Sequence, residues 1–98
     1  MSQAWRLTPR ALEDLNAIAD FTIEKWGDEQ LESYLGALIA RFAWLAESPM
    51  LGRDRADVHP GYRSFPEGSH VVFCMVDGDF INIIGIPHKS MDVGPVLF

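Results

Sequence analysis

A single glycine separates two long stretches of helical hydrophobic spacing, and that junction restricts the fold more than any other feature of the chain. Upstream, Leu12, Leu15, Ile18, Ala19, Thr22 and Trp26 recur at three- and four-residue intervals. Downstream, Leu31, Tyr34, Leu35, Leu38, Phe42 and Leu45 do the same. Such intervals draw one apolar stripe along an α-helix. Thr8 is placed to cap the first helix and Pro9 fits its first position, where a missing N–H costs nothing. Glu13 and Asp14 follow near the positive end of the helix dipole. Gly27 stops this helix, and Asp28 is expected to cap the next. Pro49 closes the second helix, because its ring disfavours helical geometry at Ser48. Two helices joined by Gly27-Asp28 must fold back as an antiparallel hairpin.

Outside the hairpin the period is extended. Ala4-Trp5-Arg6-Leu7 reads as a short strand, and Met50 to Gly61, with its glycines, proline and mixed charges, as loop. Tyr62 to Phe65 is a strand and Pro66-Glu67-Gly68 a turn. His70 to Val76 is apolar on both faces, hence central. Asp77-Gly78 favours a tight hairpin, and Phe80 to Ile86 returns as the last strand, ended by Pro87. The order β-α-α-β-β-β predicts an α+β fold: an N-terminal strand and a helical hairpin packed on one face of a mostly antiparallel sheet. Ninety-eight residues suit one domain, 1–98, since domains run to about 100–150 residues.

The composition leaves more apolar surface than so small a core can hide: 48% of residues are hydrophobic, including three Trp and six Phe. Surplus of this kind marks a partner site, or a homodimer contact. The net charge of −6 argues against direct nucleic-acid binding, because phosphate backbones repel an acidic protein. The single Cys74 excludes an intrachain disulfide and a Cys-based metal site. No signal-peptide pattern opens the chain and no apolar run approaches the ~20 residues of a membrane span, so a cytoplasmic protein without membrane contact is expected.

His59, His70 and His88 share no metal-ligand spacing, and neither metal nor cofactor is expected. His70, at the mouth of a hairpin, reads as a local hydrogen-bonding residue. His88, beside Lys89, could act as a general acid or base on RNA with Arg63 stabilising the phosphate. Metal-free chemistry on RNA needs several convergent cations, and four of the eight here (Arg6, Arg10, Lys25, Arg41) belong to the first strand and the helices. Around Arg53, Arg55 and Arg63 two readings stay open. The arginines pin a loop through Asp54 and Asp57, or Arg63 is kept for an acidic partner side chain.

A collinear set of short motifs resembles ParE toxins of the RelE/ParE superfamily. It comprises Leu7-Thr8-Pro9-Arg10-Ala11 with Asp14-Leu15 and Ile18, then Trp26-Gly27 and Gln30. It continues through Tyr34, Leu38, Phe42 and Leu45-Ala46 to Pro49 and Gly52-Arg53. It ends with Gly61-Tyr62-Arg63-Ser64-Phe65, Gly68-Ser69-His70-Val71-Val72-Phe73 and His88-x-x-Met91-Asp92. The resemblance implies a non-enzymatic toxin of a type II toxin–antitoxin pair that inhibits DNA gyrase and is neutralised by a ParD-like antitoxin in a hetero-oligomer. It also implies an apolar groove for an antitoxin helix, expected at Leu12, Leu15, Ala19, Leu38, Phe42 and Arg63. Gyrase contact is expected at Arg53, Arg55, His88, Lys89 and Met91. The chain departs from the family pattern at Gly85 and Pro87, where an Arg and an aliphatic residue are usual, and at Cys74, where Tyr is common. These changes are expected to loosen and shorten the last strand. Two alternatives follow: a RelE-like ribosome-dependent messenger-RNA endoribonuclease using Arg63 and His88, and an inactive decoy that only binds antitoxin.

Overall fold

The computed structural model describes residues 4–91. Strand β1 (Ala4–Leu7) leads into helices α1 (Pro9–Trp26) and α2 (Asp28–Glu47). After a 3-10 turn at Pro49–Leu51 come β2 (Arg53–Asp54), β3 (Tyr62–Glu67), β4 (His70–Asp77) and β5 (Phe80–Gly85). The strands form one sheet in the order β1-β5-β4-β3-β2, with β4 at its centre. The expected α+β arrangement is what forms, and the helical hairpin packs on one face of the sheet. Asp92, the last residue of the motif set, lies outside the described residues.

The ends of the helices follow from their residues. Thr8 accepts a hydrogen bond from the Ala11 amide and donates its hydroxyl to the Ile83 carbonyl, tying the start of α1 to β5. Gly27 has φ 89° and ψ 177°, a conformation closed to residues with a Cβ, and it serves both helices. It ends α1 and also stands as the N-cap of α2, so Asp28 is the first helical residue and not the cap. Glu13 and Asp14 lie beyond the first turn of α1.

Leu38, Phe42 and Leu45 from α2 meet Ala11 and Ile18 from α1 over Val72, Cys74, Ile81, Ile83 and Ile86. Trp5 packs edge-on against Phe42, with centroids 5.2 Å apart. The stripe of α1 is turned relative to the sequence reading. Ala11, Ile18 and Thr22 are buried, whereas Leu12 is 50% and Trp26 64% exposed. The small Ala11 side chain lets that face of α1 seat against the core, which rotates Leu12 outward.

The sheet adds to or departs from the sequence reading in four places. First, β1 pairs in parallel with β5, a long-range choice that leaves no local pattern. Second, Arg53–Asp54 adds a fifth strand within the expected loop. Third, β3 runs through Pro66 to Glu67, and the turn is at Gly68-Ser69. Pro66 is tolerated because the pairing alternates, and its nitrogen faces away from β4 toward a side that the short β2 does not reach.

The fourth departure shapes the site. Cys74 pairs with Ile83 but Phe73 with Gly85, so one extra residue is accommodated at Ile84. Such a bulge re-aims every side chain beyond it. Ile86 therefore joins Ile81 and Ile83 on the helix side, and the register continues from Phe73–Gly85 to a bridge between His70 and His88. Pro87 accepts from the Val71 amide, and the Lys89 amide donates to Ser69, each at 2.9 Å. The regular strand thus ends at Gly85, shorter than the Phe80-to-Ile86 reading, as expected, while backbone pairing continues past Pro87.

Candidate functional site

An open groove of about 540 Å³ lies between α1, the start of α2 and the segment after β5. Its apolar part is lined by Ile18, Phe21, Trp26, Pro87 and Met91. Phe21, Trp26 and Met91 are all more than half exposed, so they stabilise little within the chain itself. Solvent-facing aromatic surface of this kind is costly to leave uncovered.

The other end of the groove is polar. Asp14 joins its two walls: one carboxylate oxygen accepts from the buried Ile86 amide at 2.8 Å, and the other takes Arg10 at 3.2 Å. Tyr34 reaches from α2 to the β3–β4 turn, contacting the Glu67 carbonyl at 2.9 Å and His70 Nδ1 at 2.6 Å. The His70 and His88 rings stand edge to face, 5.5 Å apart. Burial, and then the neighbouring His88, hold the His70 pKa below the usual imidazole value, while Asp14 acts in the opposite direction. Burial is also the main cause of the raised Tyr34 pKa. His70 is therefore more than a local turn residue, since it connects α2 to the groove wall. Among the described residues no three His, Cys, Asp or Glu side chains gather as a metal cage.

The expected groove residues do not line this surface. Leu38 and Phe42 are fully buried in the core, with 0% exposure, and have nothing to offer a partner. Leu15 and Ala19 are half-buried on α1, and Leu12 is turned to solvent. Arg63 donates to the Gly52 carbonyl at 2.8 Å, which fixes it beside the β2 loop. The stripe rule identified the face that packs inward. The open groove lies on the adjacent face, marked by Arg10, Asp14, Ala17 and Phe21 at the same helical spacing.

The residues expected at gyrase fall into two separate groups. His88 and Met91 line the groove, and Lys89 lies between them. Arg53 is exposed on β2, at the far edge of the sheet. Arg55 lies over the Phe73 ring at 5.0 Å and forms a two-point pair with Asp57, both contacts at 3.0 Å. That pairing supports the loop-pinning reading for Arg55, since its charge is already matched. No helix among the described residues is long and apolar enough to cross a membrane.

A helical hairpin laid on a mixed sheet in this order is the fold of the small RelE/ParE-like toxins. The structure superposes on a chain of the "Chromosomal ParDE TA system from P. aeruginosa" with a TM-score of 0.74. That match has 22% identity and covers 89% of this chain and 96% of the other. A chain of the toxin–antitoxin complex RelBE2 from Mycobacterium tuberculosis matches with a TM-score of 0.58 at 18% identity, covering 91% of this chain and 100% of the other. In sequence, the chain is 37% identical over 94 residues to "Toxin ParE1" of Mycobacterium tuberculosis, covering 95% of this chain and 96% of the relative. It is 39% identical over 88 residues to "Toxin ParE1" of Caulobacter vibrioides, covering 90% and 91%. Residues 5–93 match the family described as "ParE toxin of type II toxin-antitoxin system, parDE". The chain belongs to that family.

Proposed function

We propose that this ParE-type toxin inhibits DNA gyrase by binding, without catalysing a reaction, and that a ParD-like antitoxin neutralises it by laying an apolar helix face in the groove. The observation that carries the antitoxin reading is the open row of Phe21, Trp26 and Met91. An amphipathic helix presenting apolar residues at i, i+3 or i+4 and i+7 is the partner such a groove fits. The acidic balance of residues 11–50, eight acids against two bases, favours a basic partner segment by charge complementarity. The similar solved structures, described as a ParDE toxin–antitoxin system and a RelBE2 toxin–antitoxin complex, are in keeping with a partner of this kind.

The same geometry weighs against the ribonuclease alternative. That reading needs Arg63 and His88 around one phosphate. Arg63 is on β3, bonded to a loop carbonyl, while His88 flanks β4 on its opposite side. Arg10, the cation lining the groove, is paired with Asp14.

The deciding experiment uses purified toxin with gyrase and, separately, with translating ribosomes. Supercoiling should stop, ribosome-bound messenger RNA should remain whole, and the antitoxin encoded beside the toxin should restore supercoiling. Cleaved transcripts with normal DNA topology would establish the endoribonuclease instead. Unimpaired growth at confirmed soluble expression would establish the decoy.

A further inference from the structure

We propose that His70 and His88 form a two-histidine site for a divalent transition-metal ion, Zn2+ or Ni2+, at the polar end of the groove. Three observations converge on it. The first is the register. The His70–His88 bridge is flanked by the Val71-to-Pro87 and Lys89-to-Ser69 hydrogen bonds, so it is a pair that exchanges no backbone bonds of its own. Cross-strand side chains come closest at such pairs, with Cβ atoms about 4.5–5.5 Å apart.

The second is the spacing of the rings. Two imidazoles sharing one ion, each with its nitrogen about 2.0–2.1 Å from the metal and a near-tetrahedral angle between them, have centroids roughly 5 Å apart. The observed separation is 5.5 Å.

The third is the state of the His70 ring. The Tyr34 hydroxyl has one proton, and the Glu67 carbonyl beside it can only accept. The Ser69 amide donates to the same hydroxyl oxygen at 3.3 Å. The 2.6 Å contact must then be made by an Nδ1–H of His70, which leaves its Nε2 with a lone pair. At His88, Nδ1 accepts from the Ser90 amide at 3.2 Å, with the Ser90 hydroxyl 2.7 Å away. Binding an ion through Nε2 therefore requires the ring proton to move to Nδ1, where the Ser90 hydroxyl accepts it. The Ser90 amide then turns to water, since Ser90 is exposed. Partners that hold the remote nitrogen are what orient metal-binding histidines.

Asp14 lines the same groove and adds a negative charge, offset by Arg10, while Lys89 adjoins His88. With two protein ligands, the remaining coordination positions fall to water, so the ion exchanges readily. Sequence spacing hides the pair, because the two histidines lie 18 positions apart and the bulge at Ile84 is what brings them onto one face.

The test is calorimetric titration of the tag-free full chain with ZnCl2 and, in parallel, NiCl2. One ion should bind per chain. His88→Ala should abolish binding, and His59→Ala, in the loop away from the groove, should leave it unchanged. Tyr34→Phe, which removes only the orienting hydroxyl, should weaken binding about tenfold. Nitrogen NMR of the imidazoles guards against a variant that merely misfolds: on adding Zn2+ to the unaltered protein, the Nε2 signals of His70 and His88 should move together. Absence of saturable binding at millimolar ion overturns the proposal, as does binding that survives His88→Ala. Metal binding by the isolated chain does not depend on whether the groove takes an antitoxin.

Discussion

Replacing Asp14 by Ala should remove the contact that holds the two walls of the groove together. The Ile86 amide it accepts from, at 2.8 Å, belongs to a residue with 2% exposure. The following residue, Pro87, has no N–H to rearrange in its place. A hydrogen bond to a charged group contributes about 1.5–3 kcal/mol, and an orphaned buried donor costs a similar amount. The Arg10 pair adds little, because exposed i, i+4 pairs are worth only about 0.3–0.5 kcal/mol. Asp14→Ala should therefore lose about 2–3 kcal/mol in equilibrium denaturation. For a domain of this size, that lowers the melting temperature by on the order of 10 °C or more. Asp14→Asn keeps an acceptor oxygen without the charge and should lose about 1 kcal/mol. Amide exchange should localise the effect, with the Ile86 N–H losing protection before the amides of β3. If Asp14→Ala is within about 0.5 kcal/mol of the parent, or Ile86 keeps its protection, the bond does not hold the wall and the reasoning fails.

Core and groove residues should separate cleanly under alanine substitution. Leu38→Ala should cost about 2–5 kcal/mol of stability, whereas half-exposed Leu12→Ala should cost less than about 1, both read by urea denaturation. Trp26→Ala should leave stability nearly unchanged yet weaken antitoxin binding by about 2 kcal/mol, roughly 30-fold, as interface tryptophans do. Burial pushes the Cys74 thiol from 9.0 up to about 11, so the folded state holds a proton that the unfolded chain releases first. Its contribution is complete below pH 9 and is lost as pH rises toward 11, by about 2 kcal/mol, a fall that Cys74→Ala should abolish.

The helical hairpin was legible because its signals are local: Thr8 and Pro9 at one end, Gly27 at the join, and six stripe positions on α2. The strands were harder to read. Nothing near Ala4–Leu7 encodes a parallel partner more than seventy residues away, and two residues at Arg53–Asp54 are too few to show a period. Pro66 looked like a turn because a proline usually breaks a ladder, and only the edge-facing register excuses it. Two of the expected groove residues were misplaced for one physical reason. Hydrophobic spacing reports what packs inward, so it selected Leu38 and Phe42, which the core consumes. The open surface lies on the neighbouring face of α1, and its other wall depends on a one-residue bulge that shifts Ile86 and His88 into place. No run of sequence announces that bulge.

Chemical-shift mapping of isotope-labelled toxin against its antitoxin tests the groove assignment most directly. The Trp26 indole N–H and the amides of Phe21, His70 and Met91 should move on complex formation. Shifts confined to the 53–61 loop and the back of the sheet, with those four residues unmoved, would contradict it.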